Sequence, residues 1–321
     1  MKNVLITSNG SFSCEEIVSS LRSEVDCLVG TNIYPEHLIG VSHLFDYTYL
    51  IPSPYEQNYI SELLRICRKH NIQYIFPLID IEVDILSKHR ETFAGQGITI
   101  CLSNAGSILI CRDKYLCYLT FEKDKVIMPI PTCSYADIAD GNYEPLLTSS
   151  IIVAKPYNGR SSQGLLYLSN LSEIENIPNK ENYIFQPKIE GEVFTVDYIQ
   201  DAYGHDFSIT RKEIFRTQHG AGLSVEIQHN EILQNMASYI GKKLQILGAI
   251  NIEFLCSAHH CYLMDINPRF SAGIAFSHLA GYDIVKNHFL CFQNEPIENN
   301  VTITPCYAVK RYITYITGKT I

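Results

Sequence analysis

The alternation of short apolar runs with amphipathic stretches over the first hundred residues restricts the fold of this chain more than any other feature. "NVLITS" (3–8), "DCLVGT" (26–31), "YIFPLI" (74–79) and "GITICL" (97–102) are apolar runs of buried-strand length. Between them, "EEIVSSLRSE" (15–24) and "YISELLRICRKH" (59–70) place apolar residues at helical spacing. This β-α-β-α order predicts a parallel sheet with helices on its faces. The first turn, "SNGSFSC", lacks the G-x-G-x-x-G spacing that brings backbone against a pyrophosphate, so no dinucleotide site is expected there. In open α/β sheets, ligands sit beyond the carboxyl ends of the strands. "PLIDIEVD" (77–84) supplies Asp80 and Glu82 just past such an end, as candidate substrate contacts. The other reading of these two is a pair of helix N-terminal carboxylates favoured by the macrodipole.

After residue 110 the pattern changes. "CRDKYLCYLTFEKD" (111–124) predicts a helix, and "MPIPTCSY" (128–135) a Pro-punctuated connector. "IIVAKPYNGRSSQGLLYLS" (151–169) reads as two strands joined by a loop of small residues. That loop differs from a phosphate-binding loop of the Walker type, which needs a following helix, yet its N–H groups and Lys155 could close over phosphate oxygens. "NYIFQPKIEGEVFTVDYI" (182–199) reads as strand, polar turn, strand. A helix at about 230–247, the strands "AINIEFLC" and "CYLMDINP", and a helix from near Ile274 follow. In "YLMDINPR", Asp265, Asn267 and Arg269 stand two apart. Side chains at i and i+2 share one face of a strand, so Met264 and Ile266 are expected on the other, in a core. Oxygen ligands without thiolate or imidazole suit Mg²⁺. A strand running into an Asn-Pro turn, its polar side chains solvated, fits the same residues.

Composition narrows the class. With 46% hydrophobic and 18% charged residues, the chain matches a soluble globular protein. A net charge of −9 argues against a nucleic-acid partner. No apolar run is long enough to cross a bilayer, and the start "MKNVLITSNGSFSC" does not read as a secretory signal. Eleven cysteines are scattered without a C-x-x-C, and they are expected to be reduced, in a cytoplasmic protein.

Taken together, the pieces resemble the ATP-grasp superfamily, particularly its carbamoyl-phosphate-synthetase-like and pyrrolysine-biosynthesis-ligase-like branches. The most specific match is "GAINIEF" (248–254) followed by "YLMDINPR" (262–269). The resemblance implies an α/β fold that becomes α+β in its C-terminal half. A Rossmann-like parallel-sheet domain would span 1–110, and a two-lobed ATP-grasp domain 111–321, with a small lid lobe at about 115–183. It implies that Glu253, Asp265 and Asn267 hold two Mg²⁺ ions (Mn²⁺ able to substitute) against the triphosphate of ATP. Arg269 would neutralise the transferred phosphoryl group, beside Lys155 and Asn267 as catalytic residues. Lys114 and Lys155 would contact nucleotide phosphates. Gly159, Ser161, Ser162 and Gly164 of "GRSSQG" would form a covering loop, mobile without nucleotide. Gln186, Lys188 and Ile189 would read adenine, and Glu192 would bind the ribose. Arg211 or Arg216 in "ITRKEIFRTQHGAG" (209–222) would take a substrate carboxylate.

The activity so implied joins a small-molecule carboxylate to an amine or ammonia through an acyl phosphate, releasing ADP and phosphate. Other ATP-consuming phosphoryl transfer on the same fold, kinase-like or of the carbamoyl-phosphate type, is the first alternative. A nucleotide-binding module without catalysis is the second. No nucleic acid or membrane partner is expected, and a homodimer is allowed. One geometric expectation follows. To share ions, Glu253 and Asp265 should face each other on neighbouring antiparallel strands, with Cβ atoms about 4.5–5.5 Å apart. Asn251 then faces Asn267, and the turn is most simply the three residues Ala258-His259-His260, with both histidines solvated. An even loop pairing Cys256 with Cys261 would set Glu253 opposite Met264, unless a bulge corrected it.

Overall fold

In the computed structural model, which describes residues 2–314, 316 and 317, the expected parallel sheet comes first. Its elements are β1 (Asn3–Ile6), α1 (Cys14–Leu21), β2 (Cys27–Asn32), β3 (Tyr47–Leu50), α2 (Tyr59–Lys69), β4 (Tyr74–Phe76), α3 (Asp80–Lys88), α4 (Arg90–Ala94) and β5 (Thr99–Ile100). The strands run in the order β3-β2-β1-β4-β5, all parallel. Leu5, Val29 and Ile75 pack under Leu63 and Ile66 of α2, while Val4, Ile6 and Leu28 pack under Ile17 and Leu21 of α1. The edge strand β3 was not among the expected strands. Tyr47 and Leu50 are exposed, so its sequence carries no buried apolar run. β4 stops at Phe76, three residues short of the apolar run, because Pro77 has no N–H to give a ladder. Strand order reverses between β1 and β4, so the loops at 7–13 and 77–79 part and open a crevice.

The run at 111–124 is two helices rather than one. α5 (Ala105–Arg112) ends at Asp113, whose carboxylate caps α6 (Lys114–Phe121) by accepting the N–H groups of Tyr115 and Leu116, each at 2.9 Å. Lys114 is thereby fixed as the first residue of a new helix. Next come β6 (Cys133–Ser134), α7 (Tyr135–Ala139), β7 (Ile152–Pro156), β8 (Leu166–Leu168) and β9 (Tyr183–Pro187). These strands form an antiparallel sheet in the order β6-β9-β7-β8. Its own core includes Leu146, Ile152, Ala154 and Phe185.

The rest of the chain is β10 (Glu192–Gln200), β11 (Asp206–Arg216), β12 (Gly222–Gln228), α8 (Glu231–Lys243), β13 (Gly248–Cys256), β14 (Cys261–Asn267), α9 (Ile274–Leu279), α10 (Ile284–Phe292) and β15 (Cys306–Val309). Six antiparallel strands order as β14-β13-β10-β11-β12-β15, with Leu233, Ala237 and Ile240 of α8 packed on one face. The strand–turn–strand pattern at 182–199 is present, but β9 and β10 join different sheets and 188–191 crosses between them. Gly191 permits the crossing: a Cβ there would lie 2.7 Å from the carbonyl oxygen of Cys256. Among the described residues, no helix is long and apolar enough to cross a membrane.

Candidate active site

The two strands that carry the acids meet as expected, by a different route. Asn251 faces Asn267 and Glu253 faces Asp265. Beyond one extra residue the ladder resumes as Phe254 with Leu263, Leu255 with Tyr262 and Cys256 with Cys261. The connection is therefore the even loop 257–260, closed by the Ser257 N–H donating to the His260 carbonyl at 2.8 Å, and not the three-residue turn. Met264 is the inserted residue that restores the register, a β-bulge. It breaks the alternation, so Met264 lines the cavity beside Asp265, contrary to the expectation of a core position, while Ile266 is buried as expected. His259 and His260 are exposed, as expected. Cys256 and Cys261, facing each other at the end of the hairpin, form a disulfide. This corrects the expectation that all eleven cysteines are reduced; the other nine are free.

β11 uses the same device. Arg211 and Glu213 alternate onto the cavity wall, and the register then skips Ile214 before Phe215 pairs with Ser224 and Arg216 with Gly222. The skipped residue shifts the alternation and turns Arg216 to the wall as well.

These walls enclose a cavity of about 780 Å³ between the three sheets, open to the crevice of the parallel sheet through Gly10, Ser13, Leu78 and Asp80. Opposite charges meet inside it from separate elements. Lys114 lies 3.1 Å from Asp265, and Arg216 places one terminal nitrogen 3.0 Å from both carboxylate oxygens of Glu253. Arg269 donates to both oxygens of Asp80 at 2.9 Å each. Asn267 donates to Asn251 at 3.3 Å, which in turn donates to Asp197 at 3.2 Å. Burial pushes the Lys155 ammonium down to about 8, even though Asp265 pulls it back up. Lys114 also donates to the carbonyl of Gly159 at 3.2 Å, tying α6 to the loop at 159–164. In that loop Ser161, Ser162 and Gly164 have φ of 49°, 57° and 75°, and a Cβ on Gly164 would meet Pro156 at 2.8 Å.

At the other end, Gln186 is buried and its Nε2 donates to Thr132 at 2.7 Å. The Thr132 hydroxyl spends its one proton on the Ile130 carbonyl at 2.7 Å, so it can only accept from Gln186. That network fixes the amide orientation and leaves Oε1 uncommitted. Lys188 and Ile189 line the same cavity.

Not every candidate arrives. Gly164 is not on the wall, and Glu192 stands outside it, paired with Lys212 at 2.5 Å. Arg211 lines the wall, but it is buried and donates to Asp197, Glu213 and Ser271, so a free guanidinium for a substrate carboxylate is not found there. Asp80 lines the wall with both oxygens held by Arg269. Glu82 is corrected outright. It is 2% exposed and accepts from Thr7 at 2.6 Å and Tyr59 at 3.0 Å, away from the cavity, because one helical residue beyond Ile81 turns it inward. The partners Asp197 and Glu213 were missed. They share faces with Thr195 and Arg211 by simple alternation, but nothing in their sequence neighbourhood distinguishes a buried acid from a solvated one.

Burial raises the Glu82 carboxyl to about 7, so the folded state holds a proton that the unfolded chain gives up near 4.5. Stability should therefore fall as pH rises from about 4.5 to about 7. Glu82→Gln is expected to exceed the parent protein by about 3 kcal/mol at pH 8 and to match it near pH 4.5. Melting curves across that range check it; equal stability of the two at pH 8 would contradict a buried ionised carboxylate.

Among the described residues, no group of three or more His, Cys, Asp or Glu is placed to hold a metal unaided. Glu253 and Asp265 with the Asn267 amide form an incomplete, all-oxygen set. Such a set suits Mg²⁺, which commonly takes one or two carboxylates and completes its shell with phosphate oxygens and water. The donors fit a metal that arrives with a nucleotide.

The family model described as ATP-grasp domain matches residues 111–273, just over half of the chain, and the PylC-like, N-terminal domain matches residues 4–101. No curated protein matches the sequence. Among solved structures, the fold is similar to the biotin carboxylase β-γ-ATP complex from Campylobacter jejuni, with a TM-score of 0.78 and 15% identity over 95% of this chain and 73% of that one. It is similar to the biotin carboxylase domain dimer of Hydrogenobacter thermophilus 2-oxoglutarate carboxylase in complex with MgADP, ADP and bicarbonate (TM-score 0.78, 14% identity, 94% and 71% covered). A third is N5-carboxyaminoimidazole ribonucleotide synthetase from Thermotoga maritima (TM-score 0.73, 15% identity, 96% and 80% covered). At these identities the likeness is one of fold.

Proposed function

The chain belongs to the ATP-grasp family, and from that membership we propose that it is an ATP-dependent carboxylate–amine or carboxylate–ammonia ligase working through an acyl phosphate. The observation that carries the proposal is the facing pair Glu253 and Asp265, with Asn267, on the wall of a cavity that also presents Lys114, Lys155 and Arg269. Binding adenine alone needs no paired carboxylates; holding a metal-bound polyphosphate does.

In this reading Lys114 and Lys155 draw in the nucleotide phosphates, and the loop at 159–164 covers them. Gln186, Lys188 and Ile189 line the adenine end, with the Gln186 Oε1 accepting from the adenine amino group. Glu253, Asp265 and Asn267 would hold Mg²⁺, as two ions for which Mn²⁺ can substitute. Bound metal supplies neutralisation of the phosphate oxygens. A substrate carboxylate oxygen attacks the γ-phosphorus, the bond to the ADP oxygen breaks, and Arg269 and Lys155 face the charge on the transferred group. The amine then attacks the acyl carbon, the bond to phosphate breaks, and the nitrogen loses a proton to give an amide. If Glu253 were to hold metal, Arg216, which donates to both of its oxygens in the structure, would be released to bind an anionic substrate group.

The same reading divides the chain into 1–110, 111–321 and a lid lobe at about 115–183. Support comes from sheet membership: the parallel strands end at Ile100, and the four-stranded sheet runs from Cys133 to Pro187. It also proposes a cytoplasmic protein, a reading that the nine free cysteines favour and the Cys256–Cys261 disulfide opposes.

Lys155 gives a pH test. Free Lys155 starts to lose its proton near pH 8, and phosphate favours the charged form, so nucleotide binding above pH 8 must take up a proton. Affinity for a non-hydrolysable ATP analogue should fall by up to about tenfold per pH unit there, and Lys155→Arg should flatten the profile. A flat profile from pH 7 to about 9.5 in the parent protein removes Lys155 from the phosphate site. The function itself is tested by screening carboxylate and amine pairs for ADP and phosphate release, with mass analysis of the product. ADP release with no coupled product across the screen would point to the non-ligase alternatives.

A further inference from the structure

Arg269 follows the end of β14 by two residues, and its guanidinium is held before any ligand arrives. Nε and Nη2 donate to the two oxygens of Asp80 at 2.9 Å each, and Nη1 donates to the Phe270 carbonyl at 3.1 Å. A guanidinium has five N–H groups, so two remain, one on each terminal nitrogen. Two N–H groups on one planar fork suit a pair of phosphoryl or carboxylate oxygens.

Asp80 is itself braced. It heads α3, and Arg112 at the end of α5 places Nη1 3.6 Å from its Oδ1. Arg112 is locked in turn by Asp84, one helical turn further along α3, at 2.8 and 3.2 Å. The run Asp84–Arg112–Asp80–Arg269 alternates in sign and sums to zero. Its inner members are almost enclosed, with side chains 8% exposed at Arg112 and 5% at Asp80, against 19% at Arg269. Burial would raise the Asp80 carboxyl, but Arg269 and then Arg112 overcome it and keep it near 2, so the clamp stays charged at any ordinary pH. The four residues come from α3, α5 and the segment after β14, which joins the parallel sheet to the six-stranded one.

We propose that Asp80 is the positioning residue of Arg269: it holds the guanidinium so that its two free N–H groups meet the transferred phosphoryl group, while Arg112 and Asp84 keep Asp80 in place. Asp80 then touches no substrate, although it lines the cavity. A flexible arginine would otherwise be ordered at the moment of transfer, and misplacing a reacting contact by about 1 Å can cost on the order of 100-fold. The inference rests on Arg269 contacting the phosphoryl group, and it is testable without knowing the carboxylate or the amine.

The experiment compares binding of MgADP alone with MgADP plus aluminium fluoride, which mimics a phosphoryl group in transfer. In the parent protein the fluoroaluminate should tighten binding; if it does not, the phosphoryl role of Arg269 fails and this inference with it. Asp80→Asn should leave MgADP affinity within about threefold and reduce the tightening by about 10- to 100-fold. In an Arg269→Lys background the same substitution should change nothing further. Equal loss of both affinities, a full additional loss in the Arg269→Lys background, or a lowered melting temperature alone would each overturn the proposal. Should Asp80→Asn fail to fold, Asp80→Glu keeps the charge and shifts the carboxylate by one methylene; unchanged fluoroaluminate tightening in that variant would also overturn it.

Discussion

Asp265→Asn is expected to lower ATP turnover at least about 10³-fold, the several kcal/mol that a metal supplies to a transferring phosphoryl group, while leaving the fold intact. The substitution keeps shape and removes one charge. Asp265 faces Glu253 across the hairpin and is partnered in the structure by Lys114 at 3.1 Å. Losing that carboxylate leaves Lys114, only 11% exposed, and the buried Lys155 without that counter-charge, so the melting temperature should fall by up to about 10 °C with the fold retained. The two effects separate a ligand to metal from a structural acid. Turnover within tenfold of the parent protein would remove Asp265 from the site, and an unfolded variant would make it structural instead.

Gly241→Ala should destabilise the protein by about 2–3 kcal/mol and lower its melting temperature by about 5 °C. An alanine inside a helix normally stabilises by up to about 1 kcal/mol, so the sign is diagnostic. A Cβ at Gly241 on α8 would meet Cε1, Cζ and OH of Tyr198 at 2.1, 2.3 and 2.4 Å. Tyr198 cannot yield easily: it is fully buried on β10, and its hydroxyl donates towards Gln200 at 2.8 Å and Asp206 at 3.1 Å. α8 and β10 would have to part, and β10 also carries Thr195 and Asp197 beneath the cavity wall. Thermal denaturation checks this; a raised melting temperature would show that the helix can shift at little cost.

What was legible in the chain follows from which patterns are local. The parallel sheet was readable because β1, β2, β4 and β5 lie in apolar runs separated by helical spacing, while β3, half exposed at the edge, had no such run. Glu253 facing Asp265 was expected from the resemblance alone, because two acids that share ions must face each other; strand alternation by itself left the register open. The way it is achieved could not be anticipated, because a bulge adds one residue without any mark in composition. Met264 and Ile214 look like ordinary apolar strand residues, yet each shifts the alternation and turns a charged side chain into the cavity. Long-range pairing was invisible for the same reason. Nothing near Asp80 in sequence announces Arg269, and nothing near Glu82 announces Thr7 or Tyr59. The pairing of Cys256 with Cys261 depends on the even loop, so the wrong loop length concealed it.

The central claim is that a substrate carboxylate becomes an acyl phosphate, and oxygen transfer tests it most directly. With a carboxylate found active in the screen, labelled with ¹⁸O in both oxygens, the released phosphate should carry one ¹⁸O and the nucleotide product should be ADP. Asp265→Asn should yield neither. Phosphate free of label, or AMP with pyrophosphate in place of ADP, would contradict the acyl-phosphate route and the ligase reading built on it.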